Sequence, residues 1–191
     1  KTVAITGGTG GIGSQVVFQL AEAGARPLVV GRARNDGLPG HFIEADLCST
    51  EGAVAAGAAI ALHAPDIFIH LAGLQYFGLF EEQPPESLAQ LYAVNLVAPA
   101  LITQALLPGM RERCSGHIVN VGSIFGSIAF AHYVAYSSTK AGLKALSEGL
   151  RRELEGTGIH VTYVAPRAVK TPMNSSKALQ LAKATRMTMD E

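Results

Sequence analysis

Residues Thr6–Gly13 read TGGTGGIG and stand between an apolar stretch and an amphipathic one. Thr2–Thr6 is predicted to be a β-strand, and the periodicity from about Ile12 to Ala23 predicts a helix that Gly24 ends. Glycines in such a turn let backbone N–H groups approach a pyrophosphate, and the helix N-terminus adds partial positive charge. The order strand, glycine turn, helix therefore predicts a dinucleotide site, with a purely structural tight turn as the alternative.

Further along the chain, apolar strand-like stretches alternate with helix-like ones. Strands are predicted at 27–30, 42–44, 67–71, 117–121 and 160–164, and helices at about 49–63, at 85–107 and from the segment of Tyr136 to about 155. This alternation implies a parallel sheet with right-handed crossovers. We predict an α/β fold of the doubly wound, Rossmann-type, three-layer kind, with residues 1–191 forming a single domain.

The composition limits the classes of partner. Fifteen Lys and Arg balance fifteen Asp and Glu in 191 residues, so neither a nucleic acid nor a membrane surface is expected as partner. Cys48 and Cys114 have no metal-ligand spacing, so we predict no metal site and free thiols in a reducing, cytoplasmic compartment. The weakly charged run Ala93–Met110 is expected to be a buried helix and not a membrane span, because Asn95 and two prolines interrupt it.

The end of the second predicted strand bears on the cofactor. In NAD sites an Asp or Glu at this place takes the ribose 2′-hydroxyl, but here Gly31 is followed by Arg32, with Arg34 beyond. An arginine can pair with a 2′-phosphate, which an acid would repel, so the sequence favours NADP(H) over NAD(H). The alternative is that both arginines are ordinary solvated loop charges. Asp46, after the third strand, could meet the adenine amino group or cap the next turn.

Two other strand ends are candidate cofactor contacts. Ala72 and Gly73 follow the fourth strand, where small residues would let a ribose lie close to the backbone, although a structural turn would look the same. After the sixth strand comes the loop PRAVKTPMN, in which Thr171 could hydrogen-bond the nicotinamide amide. Residues 172–191 are expected to form a mobile substrate lid.

The stretch SIFGSIAFAHYVAYSSTK at Ser123–Lys140 places a hydroxyl, a phenol and an ammonium in a useful spacing. Tyr136 and Lys140 are four residues apart, so on a helix their side chains share one face. A free phenol has a pKa of about 10, and a nearby ammonium lowers it toward neutral pH. We predict Tyr136 as general acid or base, Lys140 as the group that lowers its pKa, and Ser123 as the hydroxyl that holds a substrate oxygen. The alternative is a solvated helix face.

Asn95 lies inside a predicted helix, where Asn is a poor helix former. Pro99 lies four residues on and has no N–H, so the Asn95 carbonyl loses its helical partner and the helix should kink. That carbonyl could bind a water that connects Lys140 to solvent. A kink with a structural role alone is the other interpretation.

The residues expected at the wall of a substrate pocket are mostly apolar or aromatic. They are Gln75, Tyr76, Phe77, Ile124, Phe125, Phe130, His132, Tyr133 and Met173. They favour an apolar carbonyl or alcohol as substrate, although the same residues could belong to the core.

Together these motifs resemble the short-chain dehydrogenase/reductase family, in its compact single-domain branch, from Thr6 to about Asn174. The resemblance implies hydride transfer between NAD(P)(H) and an alcohol/carbonyl pair, commonly in homodimers or homotetramers. It implies that Ser123 polarises the carbonyl, that Lys140 also holds the nicotinamide ribose, and that Asn95 completes a catalytic tetrad with Tyr136. The implied cofactor-binding residues are Thr6, Gly7, Gly11, Ile12, Gly13, Arg32, Asp46, Leu47, Ala72, Gly73, Tyr136, Lys140, Pro166 and Thr171.

The sequence departs from the family pattern at two strand ends. His70 and Leu71 replace two asparagines, so His70 is expected to be a buried core histidine. Arg167 replaces a glycine after Pro166 and could reach an acidic group of the substrate.

The glycine spacing and the chain ends also bear on the resemblance to the compact branch. TGGTGGIG fits the extended, sugar-nucleotide branch too, whereas the spacing from Ser123 to Tyr136 favours the compact one. No Met precedes Lys1, and the chain stops before the family's last helix and strand. We therefore expect residues to be missing at one or both ends and the sheet to lack that last strand.

Two further functions are compatible with this fold, because fold alone does not fix function. One is a non-catalytic NADP-binding sensor or scaffold protein, although such proteins often lack the tyrosine or the lysine that this chain keeps. The other is an epimerase or dehydratase of the extended branch, which needs a C-terminal substrate domain for which 191 residues leave no room.

Overall fold

The computed structural model of the chain describes residues 1–167 and Val169. Its strands are β1 Thr2–Thr6, β2 Arg26–Gly31, β3 His41–Glu44, β4 Ile67–His70, β5 Gly116–Val121 and β6 Ile159–Val164. Its α-helices are α1 Gly11–Glu22, α2 Thr50–Ala61, α3 Pro85–Tyr92, α4 Ala98–Glu112 and α5 Val134–Glu153. All pairings are parallel, in the order β3-β2-β1-β4-β5-β6. The strand order reverses between β1 and β4, which confirms the predicted doubly wound α/β fold.

Helices cover both faces of the sheet. The larger apolar core lies on the face covered by α2, α4 and α5, where Ala4, Phe68 and Ile118 form a row across three neighbouring strands and are fully buried. On the opposite face, Ile5 packs against Val17 of α1. Burying a side chain of the size of Ile or Phe contributes roughly 1.5–3 kcal/mol, so these two cores hold the layers together.

A row of polar side chains crosses the sheet two residues beyond that apolar row. Thr6, His70, Asn120 and Tyr163 are successive register partners on β1, β4, β5 and β6. Strand residues two apart point to the same face, so this row also faces α5. It lies at the C-terminal ends of the strands, where open α/β sheets bind ligands.

Residues Pro85–Glu112 form one continuous helical segment of 28 residues, in which a π-helix at Ala93–Val97 joins α3 to α4. The sequence predicted a kink at Asn95, and the structure places a π-helical turn there, in which the N–H of Ala98 donates to the carbonyl of Ala93. The predicted end at residue 107 is wrong. Pro108 is exposed, so water can take the carbonyl that this proline leaves without a partner, and the helix continues.

This long segment also corrects the expectation that its apolar run is too short and too interrupted to span a membrane. By length and composition the segment is long and apolar enough to do so. Ile102 and Met110, however, are fully buried in the larger core. The segment is thus a helix with one face in the core and the other exposed, whereas the sequence predicted a buried helix.

Candidate active site

The glycine turn after β1 forms a cradle that only glycine fits. Gly7 has φ +71°, and a Cβ on it would lie 2.6 Å from Ala72. A Cβ on Gly13 would lie 2.1 Å from the carbonyl oxygen of Gly7. By helix geometry the N–H groups of Gly11, Ile12 and Gly13 have no intrahelical partner. Among the described residues no side chain caps this helix end and no acid lies in its first turn, so the cradle suits a pyrophosphate.

Two side chains predicted at the cofactor are instead packed inside the protein. Thr6 is fully buried, and its hydroxyl accepts hydrogen bonds from the N–H groups of Leu71 and Ala72 at 3.3 Å each. Leu47 is buried in the larger core. Thr6 therefore positions the turn after β4, and the cofactor contacts of Thr6 and Leu47 stay predictions.

The two arginines after β2 have different surroundings. Arg34 pairs with Asp36 at 2.9 Å, while within residues 1–167 no ion pair involves Arg32. The charge of Arg32 instead acts on Asp46 and helps to lower the pKa of its carboxyl. The main cause of that lowered pKa is the N–H of Cys48, which donates to Asp46 at 3.1 Å. Asp46 thus caps its turn, as one of the two alternatives predicted, and Arg32 is the arginine of this loop that has no ion pair among the described residues.

Ser123 lies at the end of β5, where it caps a short 3₁₀ turn at 124–126. Its side-chain oxygen accepts a hydrogen bond from the N–H of Phe125 at 3.2 Å. Its hydroxyl also lies close enough to the phenol of Tyr136 from α5 to act on the pKa of that phenol. Two side chains thirteen positions apart in sequence are thus brought together, and both were predicted to be catalytic.

Lys140 lies one helical turn beyond Tyr136, and both face the same space. Its ammonium lies 5.7 Å from the centroid of the Tyr136 ring and donates to the carbonyl of Val121 at 3.1 Å. The side chain is 4% exposed, and this burial lowers its pKa from 10.5 to about 8. Desolvation disfavours an ammonium, so the protein holds this charge at a cost in folding free energy.

The pKa of Tyr136 differs from the prediction. Burial raises it, the hydrogen bond from Ser123 acts in the opposite direction, and the net direction is upward. The expected lowering by Lys140 is therefore wrong for the side chain as the structure places it. Rings of Phe125 and Tyr133 pack edge-on against Tyr136 and exclude the water that would solvate a phenolate. Tyr136 is accordingly a protonated acid at neutral pH.

Asn95, the fourth residue predicted to be catalytic, lies close to Lys140 at the turn after β4. Its amide oxygen accepts from the N–H of Leu74 at 2.8 Å, and its amide nitrogen donates to the Leu74 carbonyl at 2.8 Å and to the Thr139 hydroxyl at 3.1 Å. A Cβ on Gly73 would lie 3.4 Å from Asn95 and 3.7 Å from the Lys140 ammonium. The side chain of Asn95 thus ties the turn after β4 to α5 beside Lys140. A water on its backbone carbonyl stays a prediction.

The departure at His70 is explained by the polar row. His70 is fully buried, as predicted, and its Nδ1 lies 2.9 Å from the Thr6 hydroxyl. Burial and the charge of Lys140 lower its pKa to about 3, so the ring is neutral. The Thr6 hydroxyl accepts from two backbone N–H groups, so its own proton is available to Nδ1 of His70.

Aromatic rings surround the phenol of Tyr136. Phe125 contacts Phe130 and Tyr133, with ring centroids 4.6 and 5.0 Å apart, and Phe77 contacts Tyr133 at 5.1 Å. The N–H of Gly78 donates to the carbonyl of His132 at 3.1 Å, which joins the loop after β4 to the loop before α5. Several predicted wall residues therefore do cluster at the site.

The loop after β6 lies only partly within the described residues. The carbonyl of Pro166 accepts a hydrogen bond from the N–H of Ile124 at 3.3 Å, so this predicted residue lies beside the Ser123 turn. Arg167 is exposed. Thr171, Met173 and the lid at 172–191 fall outside the described residues.

Sequence reasoning missed two contributors to the site. Thr139 holds the Asn95 amide, and its position three residues after Tyr136 puts it on a neighbouring part of the same helix. Tyr163 of β6 contacts the backbone of Ser123. The sequence signal for the second is a pair of glycines, Gly122 and Gly126, on either side of the Ser123 turn.

Comparison with known proteins gives consistent matches. The model of a family described as short chain dehydrogenase matches residues 1–182. The uncharacterized oxidoreductase YmfI of Bacillus subtilis is 32% identical, over 91% of this chain and 76% of its own length. The ketoacyl reductase HetN of Nostoc is also 32% identical, over 87% of this chain and 62% of its own length. The chain thus spans roughly three fifths to three quarters of these relatives.

Solved structures with the same fold bind different nicotinamide cofactors. A short-chain dehydrogenase from Sphingobium yanoikuyae, in complex with NADPH, superposes with a TM-score of 0.84 at 28% identity and covers 99% of this chain and 75% of its own. One from Leptospira borgpetersenii, with bound NAD⁺, has a TM-score of 0.82 at 28% identity and covers 94% and 75%. The fold is therefore shared by users of both cofactors.

Proposed function

The chain belongs to the short-chain dehydrogenase family of oxidoreductases, and from this premise we propose that it interconverts a carbonyl and an alcohol by hydride transfer with NADP(H). The observation that carries this proposal is the convergence of Ser123, Tyr136 and Lys140 beside Gly73. These groups come from β5, α5 and the turn after β4, at the C-terminal edge of the sheet.

We assign the proton transfer to Tyr136. Burial keeps its phenol protonated at neutral pH, which is the state needed to donate a proton to a carbonyl oxygen during reduction. The Ser123 hydroxyl, which lies beside the phenol, can donate to the same substrate oxygen.

The glycine cradle and the start of α1 suit a dinucleotide, which when bound would supply or accept the hydride. Gly7, Gly11, Ile12 and Gly13 would hold its pyrophosphate, and Lys140 and the small turn at Gly73 would hold a ribose. The preference for NADP(H) rests on Arg32. Among residues 1–167 its guanidinium forms no ion pair, and the position that holds an acid in NAD sites is Gly31, so a 2′-phosphate would be attracted and not repelled there.

The aromatic surroundings of Tyr136 support an apolar substrate. Phe77, Phe125 and Tyr133 present ring faces and edges next to the phenol, where an apolar group attached to the carbonyl would lose its contact with water. A polar or strongly charged substituent would have to be desolvated against these rings.

Replacing the phenol hydroxyl tests the assignment. The purified chain is titrated with NADPH and with NADH by cofactor fluorescence, and then assayed for NADPH oxidation with acetophenone, benzaldehyde, cyclohexanone and ethyl acetoacetate. We expect Tyr136→Phe to abolish turnover while binding NADPH like the unaltered chain, because Phe keeps the ring and removes only the proton donor. Turnover retained by Tyr136→Phe contradicts the assignment. Tight NADPH binding without turnover in the unaltered chain would favour the non-catalytic sensor or scaffold.

We also propose a homo-oligomer in the cytoplasm. Val97 on the π-helical segment and Val134 on α5 expose 39% and 48% of their surface, which supports pairing of these helices with those of a second copy. Cys48 and Cys114 are free thiols, which suits a reducing compartment. Light scattering after gel filtration tests the first proposal, and cell fractionation tests the second.

A further inference from the structure

The hydroxyl of Tyr163 links the backbones of two residues that we place in the reaction. It accepts a hydrogen bond from the N–H of Ser123 at 3.3 Å. The same oxygen lies 3.3 Å from the Ser123 carbonyl and 3.4 Å from the Lys140 carbonyl, so its single proton can be donated to either. The phenol of Tyr163 therefore ties the turn that carries Ser123 to the helix that carries Lys140.

The chain leaves room for this ring by using glycine at two positions. A Cβ on Gly122 would lie 2.1 Å from the ring carbon that bears the Tyr163 hydroxyl. A Cβ on Gly126 would lie 2.7 Å from that hydroxyl and 2.7 Å from the Lys140 carbonyl. Neither glycine has a positive φ, so the backbone itself would accept an alanine there. The ring of Tyr163 excludes a side chain at Gly122, and its hydroxyl together with the Lys140 carbonyl excludes one at Gly126.

The position of the ring in the sheet explains how it reaches both partners. Tyr163 is the register partner of Asn120, so its side chain points to the face covered by α5, at the end of β5. The N–H of Gly122 donates to the carbonyl of Val164 at 2.7 Å, which continues the pairing of β5 with β6 up to Ser123. The ring is thus held by the sheet, and the Ser123 turn is held by the ring.

We propose that Tyr163 is a positioning residue, which keeps the Ser123 hydroxyl in register with the Tyr136 phenol by fastening the Ser123 backbone to α5. This inference rests on the proposed function, because only a reaction at Tyr136 gives that register a consequence. Reacting groups must be held close to their productive geometry, and a displacement of about 1 Å can cost a factor of about 100 in rate.

The first test removes the hydroxyl and keeps the ring. We expect Tyr163→Phe to lower kcat by about 10- to 100-fold with the panel ketone that the unaltered chain reduces fastest, at nearly unchanged KM for NADPH. Tyr92→Phe is the matched control, because the Tyr92 hydroxyl also bonds a residue of α5, Ser138, but on the outer side of the helix. We expect its kcat to stay close to that of the unaltered chain. An unchanged kcat in Tyr163→Phe overturns the inference.

A double variant separates positioning from general support of the fold. If Tyr163 acts through Ser123, then adding Tyr163→Phe to Ser123→Ala should lower the residual kcat by less than about twofold, because the hydroxyl to be positioned is already gone. A role in stability alone would lower kcat by the same factor in both backgrounds. Equal factors in the two backgrounds therefore refute the positioning role.

Two measurements need no substrate and so distinguish failure of this inference from failure of the proposed function. We expect Gly122→Ala to lower the urea midpoint of unfolding in the unaltered chain but not in a Tyr163→Ala background, where the clashing ring is absent. We expect Tyr163→Phe to speed hydrogen exchange at the Ser123 amide, because its acceptor is removed. If no panel member is reduced, the proposed function fails, and unchanged exchange at Ser123 would still overturn the inference about Tyr163.

Discussion

The buried ammonium of Lys140 predicts a specific pH dependence of stability. Its pKa is lowered from 10.5 to about 8, which at 1.36 kcal/mol for each pKa unit corresponds to ~3 kcal/mol of folding free energy lost while the group is charged. Below about pH 8 both the folded and the unfolded chain hold the proton, so the whole cost is present. Between pH 8 and 10.5 the unfolded chain binds more protons than the folded one, so stability rises with pH in this window.

The perturbation is Lys140→Met, which keeps the length of the side chain and removes the charge. We expect the unaltered chain to gain ~2 kcal/mol relative to this variant between pH 7.5 and 9.5, because only the unaltered chain releases the buried proton. At pH 7.5 two effects on the free energy of unfolding oppose each other. The unaltered chain carries the cost of the buried charge, whereas the variant loses the hydrogen bond to Val121, worth about 1.5–3 kcal/mol for a charged donor. The difference between the two proteins at this single pH is therefore small. The change with pH is therefore the diagnostic quantity.

The assay is urea unfolding followed by circular dichroism at pH 7.5, 8.5 and 9.5, without cofactor and at one protein concentration. Other groups titrate alike in both proteins and cancel in the difference. Lys144→Met is the control, since Lys144 lies one turn further along α5 and bonds Ser127 at the surface. We expect no comparable change with pH for this control.

A change of less than about 0.5 kcal/mol between the unaltered chain and Lys140→Met over this pH range would refute the reasoning, because such a value matches an exposed charge. The ammonium would then not be desolvated beside Tyr136. A change of the opposite sign would mean that the folded chain holds the proton more tightly than the unfolded one, which requires an anionic partner.

Three further predictions concern the cradle, the Asn95 bridge and the arginines. Gly13→Ala should weaken NADPH binding and destabilise the chain by about 1–3 kcal/mol or more, because its Cβ would clash with backbone. The control is Gly149→Ala in α5, where a Cβ meets nothing within 4 Å, and it should stabilise the chain by about 0.5–1 kcal/mol. Thermal melts and NADPH titration check both variants, and equal effects would contradict the cradle. Asn95→Ala should cost about 1–3 kcal/mol in urea unfolding, because it leaves the N–H and the carbonyl of Leu74, both partly buried, without their partner. A cost under about 0.5 kcal/mol would contradict that bridge. Arg32→Ala should weaken NADPH binding by about tenfold or more and leave NADH binding nearly unchanged. Arg34→Ala is the control and should change neither affinity, because the Arg34 guanidinium is already paired with Asp36. If Arg32→Ala weakened the binding of both cofactors equally, the case for the 2′-phosphate would be removed.

Local sequence signals were sufficient for the strands and most helix positions. Four features depend only on residues within a few positions of one another. They are the apolar strand that ends at Thr6, the glycine turn, the amphipathic helix after it, and the end of that helix at Gly24, which has φ +76°. The end of α4 was misplaced because the outcome at Pro108 depends on which side of the helix faces water, and that is decided by packing.

The candidate site was predictable as a set of residues but not as an environment. The spacing of Tyr136 and Lys140 on one helix face follows from helix geometry, and the structure brings both to Ser123. The direction of the Tyr136 pKa did not follow from that spacing. It depends on rings from loops elsewhere in the chain, which exclude water from the phenol.

By itself, then, the sequence determined the α/β alternation, the glycine cradle and the family, because hydrophobic period and turn chemistry are properties of short segments. The tertiary structure alone decided that Thr6 and His70 pair across 64 residues and that Tyr163 reaches Ser123 across 40. These outcomes depend on register and burial, which exist only once the strands and helices have packed.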